Sequence, residues 1–341
     1  MKNNIAVYGA YGHTGKFIVS QLLQQGFNPI ICGRDKEKLL RYSQQYSNLE
    51  TKVADINQPE SLDSAFLGSD LIINCAGPYL DTAEPIIQSA LRLGKTYIDL
   101  SAEQKSVLDI FEKYSEQAKQ AKIIIIPAAA FYGGLGDLLS TTLTDGWNEI
   151  EDINIYIGLD SWHPTKGTRL TGQRNHYQRF VFANGQLEPL QAGEQFKWDF
   201  PKPMENIEMI AVPLTEIITI SRHLNVKNIN TYISLNSIED IRNAETPEPK
   251  PSDEKNRSSQ LFCMEVVALN GNKKRTITAQ GRDIYAVTAP LVVEAIKRII
   301  AGKIKNHGVT TLGEVFEATD FLKSLNADDI TISQIQESVA D

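Results

Sequence analysis

Apolar positions in the first 127 residues fall into two alternating patterns. Short continuous apolar runs, such as Ile5-Ala6-Val7-Tyr8, predict strands near 4–8, 28–33, 51–54, 70–75, 96–100 and 123–127. Between them apolar residues recur at helical spacing and predict helices near 15–25, 36–46, 60–67, 82–93 and 105–120. Phe17, Ile18, Leu22 and Leu23, for example, share one helical face. Strand and helix in strict alternation predict an α/β fold, a Rossmann-type doubly wound parallel sheet. Its ligand crevice lies at the C-terminal ends of the strands.

After Pro127 the pattern changes. A helix is predicted over 135–143, then alternating segments over 153–159, 177–183, 186–191, 228–235, 261–269 and 274–280. Asn184-Gly185 and Asn270-Gly271 read as hairpin turns. These features predict an α+β substrate domain with a mostly antiparallel sheet. Residues 243–260 are polar, with Pro247, Pro249 and Pro251 in alternation, and read as a surface loop. An amphipathic helix returns over 285–300, with Val287, Leu291, Ala295, Ile296 and Ile299 on one stripe. The expected division is 1–127 with 285–341 as the dinucleotide-binding unit, and 128–284 as a substrate and dimerisation unit.

The first strand runs into Gly9-Ala10-Tyr11-Gly12-His13-Thr14-Gly15, and a helix follows at once. Strand, glycine turn and helix form the setting of a dinucleotide site. Glycines let backbone N–H groups approach a pyrophosphate, and the helix N-terminus favours its charge. The spacing is GxxGxxG rather than GxGxxG, so the context carries the reading. Gly9, Tyr11, Gly12, His13, Thr14 and Gly15 are the candidate phosphate-side residues. The second strand ends in Gly33 followed by Arg34. An NAD enzyme places an acid near this point to hold the ribose 2′-hydroxyl. A glycine removes that carboxylate, and a guanidinium offers a planar fork for a 2′-phosphate. The expected cofactor is therefore NADP(H). Asp35 is read as the N-cap of the next helix.

Composition narrows the alternatives. At 341 residues the chain can bury a large core, and two domains are expected. Net charge is −8 and no basic stripe with interleaved aromatics is visible, which argues against nucleic acid. The longest apolar run, 123–132, is too short to span a bilayer. Cys32, Cys75 and Cys263 form no CxxC pair, and the histidines show no HExxH spacing, so no metal site is expected. The first strand begins almost at the first residue, so a cytoplasmic location without a signal peptide is expected.

Several stretches together resemble the saccharopine dehydrogenase-like family. They are the glycine turn with Gly33-Arg34, the loop Asn74-Cys75-Ala76-Gly77-Pro78-Tyr79, and the segment Tyr97-Ile98-Asp99-Leu100-Ser101-Ala102-Glu103. Pro127-Ala128-Ala129-Ala130-Phe131-Tyr132 with Asp137-Leu138, then Gly281-Arg282-Asp283-Ile284-Tyr285 and the tail from Gly308 to Leu322, complete them. The resemblance spans nearly the whole chain and is closest to the bacterial trans-acting enoyl reductase branch. It implies an NADP-binding domain, with Gly77 and Pro78 close to the ribose beside the nicotinamide and Asn74 offering an amide there. Ala76 and Ser101 lie in the same loops. Asp55 is placed either to meet adenine or to close a turn before Asn57 and Pro59. One departure matters. The family commonly carries Gly-Phe-Asp followed by proline near 130–135, where this chain has Ala130-Phe131-Tyr132 and Leu135.

Hydride transfer asks the protein for orientation and a proton donor or acceptor. No tyrosine has a lysine four residues on, so the short-chain dehydrogenase pair is absent. Tyr132 and Glu103 are the candidate catalytic residues. Tyr132 reads as a proton donor or as a packed hinge aromatic. Glu103 reads as an acid or as a first-turn helix carboxylate. The run carrying Arg174, His176, Tyr177 and Arg179 reads as a carboxylate-binding loop or as a solvated one. The resemblance implies hydride transfer to a C=N or activated C=C bond of a small-molecule substrate. The alternative is an NADP(H)-binding sensor without turnover. A homodimer through the antiparallel sheet is also expected.

Overall fold

A computed structural model of the chain describes residues 3–46, 49–191, 193 and 195–340. Its first half alternates β1 (Asn4–Tyr8), α1 (His13–Gln24), β2 (Asn28–Gly33), α2 (Lys36–Ser43), β3 (Thr51–Val53) and α3 (Pro59–Phe66). Then come β4 (Leu71–Asn74), α4 (Tyr79–Leu93), β5 (Thr96–Asp99), α5 (Gln104–Ala121) and β6 (Ile124–Ile126). All lie within a few residues of the periodicity reading. A wide helical turn, Phe131–Leu135, leads into α6 (Gly136–Leu143).

The second half holds β7 (Ile150–Leu159), α7 (Lys166–Arg174), β8 (Phe180–Ala183), β9 (Gln186–Pro189), β10 (Phe196–Phe200) and β11 (Glu205–Ala211). It continues with α8 (Glu216–Ser221), β12 (Val226–Ser234), α9 (Leu235–Arg242), β13 (Leu261–Asn270) and β14 (Lys273–Arg282). The tail holds α10 (Thr288–Ile300), β15 (Gly308–Val309), α11 (Leu312–Val315), α12 (Ala318–Lys323), β16 (Ile330–Ile332) and β17 (Gln336–Val339).

The first sheet has the order β15-β6-β5-β4-β1-β2-β3, and every pairing in it is parallel. This is the doubly wound order, with its switch point between β1 and β4. Side chains alternate between two buried faces: Ile5 and Val7 enter one core cluster, Ala6 and Tyr8 the other. The second sheet has the path β10-β11-β12-β7-β13-β14-β16. It is mostly antiparallel, with β12 and β7 parallel. One cluster joins Ile73 and Ile98 of the first sheet to Ile155 and Val266 of the second, so the two layers share a core.

Several expectations are corrected here. The tail does not return wholly to the first layer. Helix α10 packs on α1 and β15 extends the parallel sheet, but β16 and β17 pair with β14 in the second sheet. The 270–271 hairpin turns instead on Gly271 and Asn272, because Asn270 still pairs with Lys273. Gly271 takes φ +58°, as a first central residue of a type II′ turn does. At Asn184-Gly185 both residues have positive φ, as a type I′ turn requires. Residues 177–179 stay outside the strand that begins at Phe180.

Candidate functional site

The glycine turn lies at the switch point. Gly9 has φ +81° and its N–H donates to Cys32 O at 2.9 Å. A Cβ there would stand 3.0 Å from Ala76 Cβ, Ala76 N and Cys75 C. So β1 and β4 meet as closely as bare backbone allows. At Gly15 a Cβ would meet Gly9 O at 2.5 Å, which keeps α1 tight against the turn. Gly12 is the α1 N-cap, has no side chain to cap with, and no acid occupies the first turn. The N–H groups of the first helical turn have no intrahelical partner. They therefore face the crevice as an uncapped anion site. An NADP(H) pyrophosphate fits that arrangement. His13 at its rim packs edge-on against Phe17 and Tyr285, and its Nε2 is buried without a partner among the described residues. Burial lowers its pKa.

At the outer end, Arg34 is exposed and pairs with no carboxylate among the described residues. Asp35 caps α2, accepting from Lys38 N at 3.0 Å, and its second oxygen holds Lys38 Nζ at 3.3 Å. Lys38 Nζ also stands 5.9 Å from the centre of the Tyr11 ring. Asp55 Oδ1 accepts from Asn57 N at 2.9 Å, closing a turn, while Asp55 N donates to Ser61 Oγ. The turn role is therefore occupied, through one of its two carboxylate oxygens.

Toward the inner end, the Asn74 amide turns inward and donates to Thr82 Oγ1 at 3.0 Å and Tyr97 Oη at 3.2 Å. Its carbonyl accepts from Ala76 N. It holds the loop that carries Ala76 and Gly77 and has no donor left for a ribose, a correction to the direct contact expected of it. Asp99, fully buried, accepts from Ser101 N, Ala128 N and Tyr97 Oη. It ties the ends of β5 and β6 together, and burial pushes its pKa up to about 6. Ser101 Oγ accepts from Glu103 N, so it too serves the loop. The Gly77–Pro78 peptide is cis. A Cβ on Gly77 would stand 3.0 Å from Thr171 Oγ1, so α7 of the second layer closes directly over this loop. Arg174 at the end of α7 bridges to Asp81 on α4 at 2.9 Å.

Glu103 requires a second correction. Its carboxylate is fully buried and accepts from Tyr79 N at 2.7 Å and Leu80 N at 3.2 Å. It caps α4, which follows Gly77–Pro78, and not the helix it precedes. Burial raises its pKa against the pull of those two N–H groups. Neither oxygen is poised to deliver a proton to a substrate.

Tyr132 lies in the wide turn after β6, packed against Phe131 and Trp162. Its hydroxyl is buried and has no partner among the described residues. Burial raises its pKa well above the ordinary value, and the charges nearest it include Glu216 and Arg179. Glu216 is fully buried, with Oε1 accepting from Leu214 N at 2.8 Å and Oε2 unpartnered. The Arg179 guanidinium donates to Pro213 O at 3.3 Å. Of the polar side chains nearby, Arg169 clamps the carbonyls of Ile241, Asn243 and Thr246, and His176 and Tyr177 are exposed. Tyr285 Oη accepts from Trp162 Nε1 at 2.9 Å, joining His13 to the Tyr132 neighbourhood through contiguous aromatic rings.

Sequence reading missed Glu216, Trp162, Thr171 and Lys38. Thr171 and Lys38 carry no local signal, since their roles arise where α7 and α2 land. Glu216 had one: a lone acid between Leu214 and the run Ile217-Ile218-Thr219-Ile220.

The comparisons agree with this geometry. Residues 5–126 match the family model described as the saccharopine dehydrogenase NADP binding domain. A saccharopine dehydrogenase-like oxidoreductase of Bos taurus is 29% identical over 146 residues, covering 38% of this chain and 34% of that protein. A trans-acting enoyl reductase of Mycobacterium ulcerans is 26% identical over 164 residues, covering 45% and 39%. The matched stretch thus spans only about a third of the curated relatives' length. Across the whole chain, the fold resembles a saccharopine dehydrogenase (L-Glu forming) from Saccharomyces cerevisiae, with a TM-score of 0.69, 12% identity, and coverage of 99% and 100%. No helix among the described residues is long and apolar enough to cross a membrane. Residues 5–126 thus carry a likeness to the saccharopine dehydrogenase NADP binding domain, and the cofactor of that domain is NADP(H).

Proposed function

We propose that the chain is an NADP(H)-dependent oxidoreductase that transfers hydride to a C=N or activated C=C bond of a small metabolite. The observation that carries this is the uncapped α1 N-terminus at the switch point, with α7 of the second layer closed over the adjoining Gly77 loop. When bound, the dinucleotide supplies the hydride. The α1 amides hold its pyrophosphate, and Arg34 meets the 2′-phosphate. Helix α7 excludes water from the inner crevice.

Tyr132 is the proton donor in this reading. Burial keeps its phenol neutral at pH 7, and its O–H has no protein acceptor to release. Such a weak acid gives its proton only to a strongly basic atom. Hydride addition to C=N or activated C=C would create that atom, an anionic amine nitrogen or an enolate-type carbanion, and the Tyr132 O–H bond would break to protonate it, leaving the phenolate. The Arg179 charge eases the release by favouring the phenolate.

A second reading, an NADP(H)-binding sensor without turnover, is favoured by the commitment of Glu103 to α4 and by Tyr132 standing where the family commonly has an acid. One experiment separates them. The purified protein is tested for bound dinucleotide and then for NADPH consumption with pooled imines and enoyl compounds. Consumption supports the enzyme; binding without consumption in any pool gives the sensor the lead. Absence of any dinucleotide binding refutes both.

A further inference from the structure

Gly33 ends β2 at the point where an NAD-type chain presents its ribose-binding acid. A bare glycine there suggests an empty place. The place is filled. A Cβ built on Gly33 would stand 2.8 Å from Tyr11 Cε1, 3.2 Å from Tyr11 Oη and 3.3 Å from Tyr11 Cζ. The ring comes from the glycine turn, and its hydroxyl-bearing end lies against the end of the second strand. Its retreat is limited on two sides. The turn that carries it is closed by Gly12 N donating to Gly9 O at 2.9 Å, and Lys38 Nζ stands 5.9 Å from the ring centre, held there by Asp35.

We propose that Tyr11 occupies the position of the missing acid and, together with Arg34, sets specificity for a 2′-phosphate. This rests on the NADP(H) reading above. A ribose 2′-hydroxyl is best held by a carboxylate, which accepts its proton. Of the carboxylates described near this end of the crevice, Asp35 is bound to Lys38 through N and Nζ, and Asp55 closes its own turn through Oδ1. What remains is a phenolic O–H and the cations Arg34 and Lys38. That set donates hydrogen bonds and positive charge, which a phosphate dianion takes far more strongly than a neutral hydroxyl does. Gly33 is bare because the ring needs its space. It follows that an acid restored at 33 cannot reach a ribose while Tyr11 stands in front of it.

Calorimetric titration tests this without turnover, using NADPH, NADH, adenosine 2′,5′-bisphosphate and AMP as probes. The wild type should prefer each 2′-phosphorylated probe by about tenfold or more, the worth of one charge-assisted contact. Tyr11→Ser should weaken the bisphosphate by about tenfold and leave AMP unchanged. Gly33→Asp should lose NADPH and gain no NADH. Only Tyr11→Ser with Gly33→Asp should gain NADH, by about tenfold over Gly33→Asp alone. Tyr11→Phe with Gly33→Asp keeps the ring and should gain nothing, and thermal unfolding checks that each variant is folded. If Gly33→Asp alone gains NADH, or Tyr11→Ser leaves bisphosphate binding intact, Tyr11 is not the selector, while dinucleotide binding stands. If the wild type binds neither dinucleotide, the NADP(H) reading itself falls, and the role of Tyr11 with it.

Discussion

Glu103 offers a sharp test because its two possible roles give opposite readouts. Its carboxylate accepts from Tyr79 N and Leu80 N in a site that no solvent reaches. Glu103→Ala leaves both donors unpaired. Each buried unsatisfied donor costs about 1–3 kcal/mol, so the pair sets a cost of about 2–6 kcal/mol. Glu103→Gln keeps one acceptor and loses the other. It also loses the favourable charge at the α4 N-terminus, about 0.3–1 kcal/mol. Against this, a neutral amide escapes the burial cost that raises the Glu103 pKa. The net expectation for Glu103→Gln is about 1–3 kcal/mol. Because the folded pKa is raised, the native state holds this proton more tightly than the unfolded chain. The wild type therefore loses stability as pH rises from the ordinary carboxylate value through the folded one. Glu103→Gln should flatten that slope. Denaturant unfolding across a pH series measures both effects, and turnover is followed alongside. Unchanged stability in Glu103→Gln, with turnover down about 100-fold and a lost limb in its pH profile, would make Glu103 a chemical group and overturn the capping role.

Further outcomes are expected elsewhere. Tyr132→Phe should cut turnover by about 10²-fold or more. Because the lost hydroxyl is buried and unpartnered, unfolding should show stability equal to wild type or higher. Arg34→Ala should cost NADPH binding about 1–3 kcal/mol while NADH binding hardly changes, as read by calorimetry. The His223–Asp137 pair joins α6 to the turn after α8, with Nε2 and Oδ1 at 2.6 Å, and Asp137 also accepts from Gly313 N. Burial disfavours the charged ring, but Asp137 outweighs it and the His223 pKa is raised. Its stabilisation is therefore full below the ordinary histidine value and fades as pH rises through the folded one. Thermal unfolding over a pH series should show that decline, and His223→Ala should remove it at a cost of about 3–5 kcal/mol.

The first sheet was legible because its strands are continuous apolar runs, and buried parallel strands read that way. The second layer was less so. Helix α7 has no buried residue, so it shows no apolar stripe to detect. Strand β10 did carry a signal, the alternation Phe196, Trp198, Phe200, and went unread beside its polar neighbours. Strands β15, β16 and β17 are two to four residues long, below the length at which a period can be seen. At the site, the glycine turn was readable because its function is local. The roles of Tyr11 and Glu103 were not. One depends on a ring reaching a residue on the next strand, the other on a carboxylate reaching back to α4. Both contacts exist only after the sheet has assembled.

The return of the tail bears on how this protein can be cut. Residues 5–126 match a family domain, yet that stretch does not end where its packing ends. Ile18, Val19 and Leu22 of α1 are fully buried, and α10 lies against that helix. The outer edge of β6 is covered by β15. A fragment stopped at 127 would bare an apolar helix face and a flat strand edge together, the two features that drive aggregation. The recognisable module and the folding unit are thus different objects. Any attempt to graft the cofactor site elsewhere must carry residues 288–309 with it.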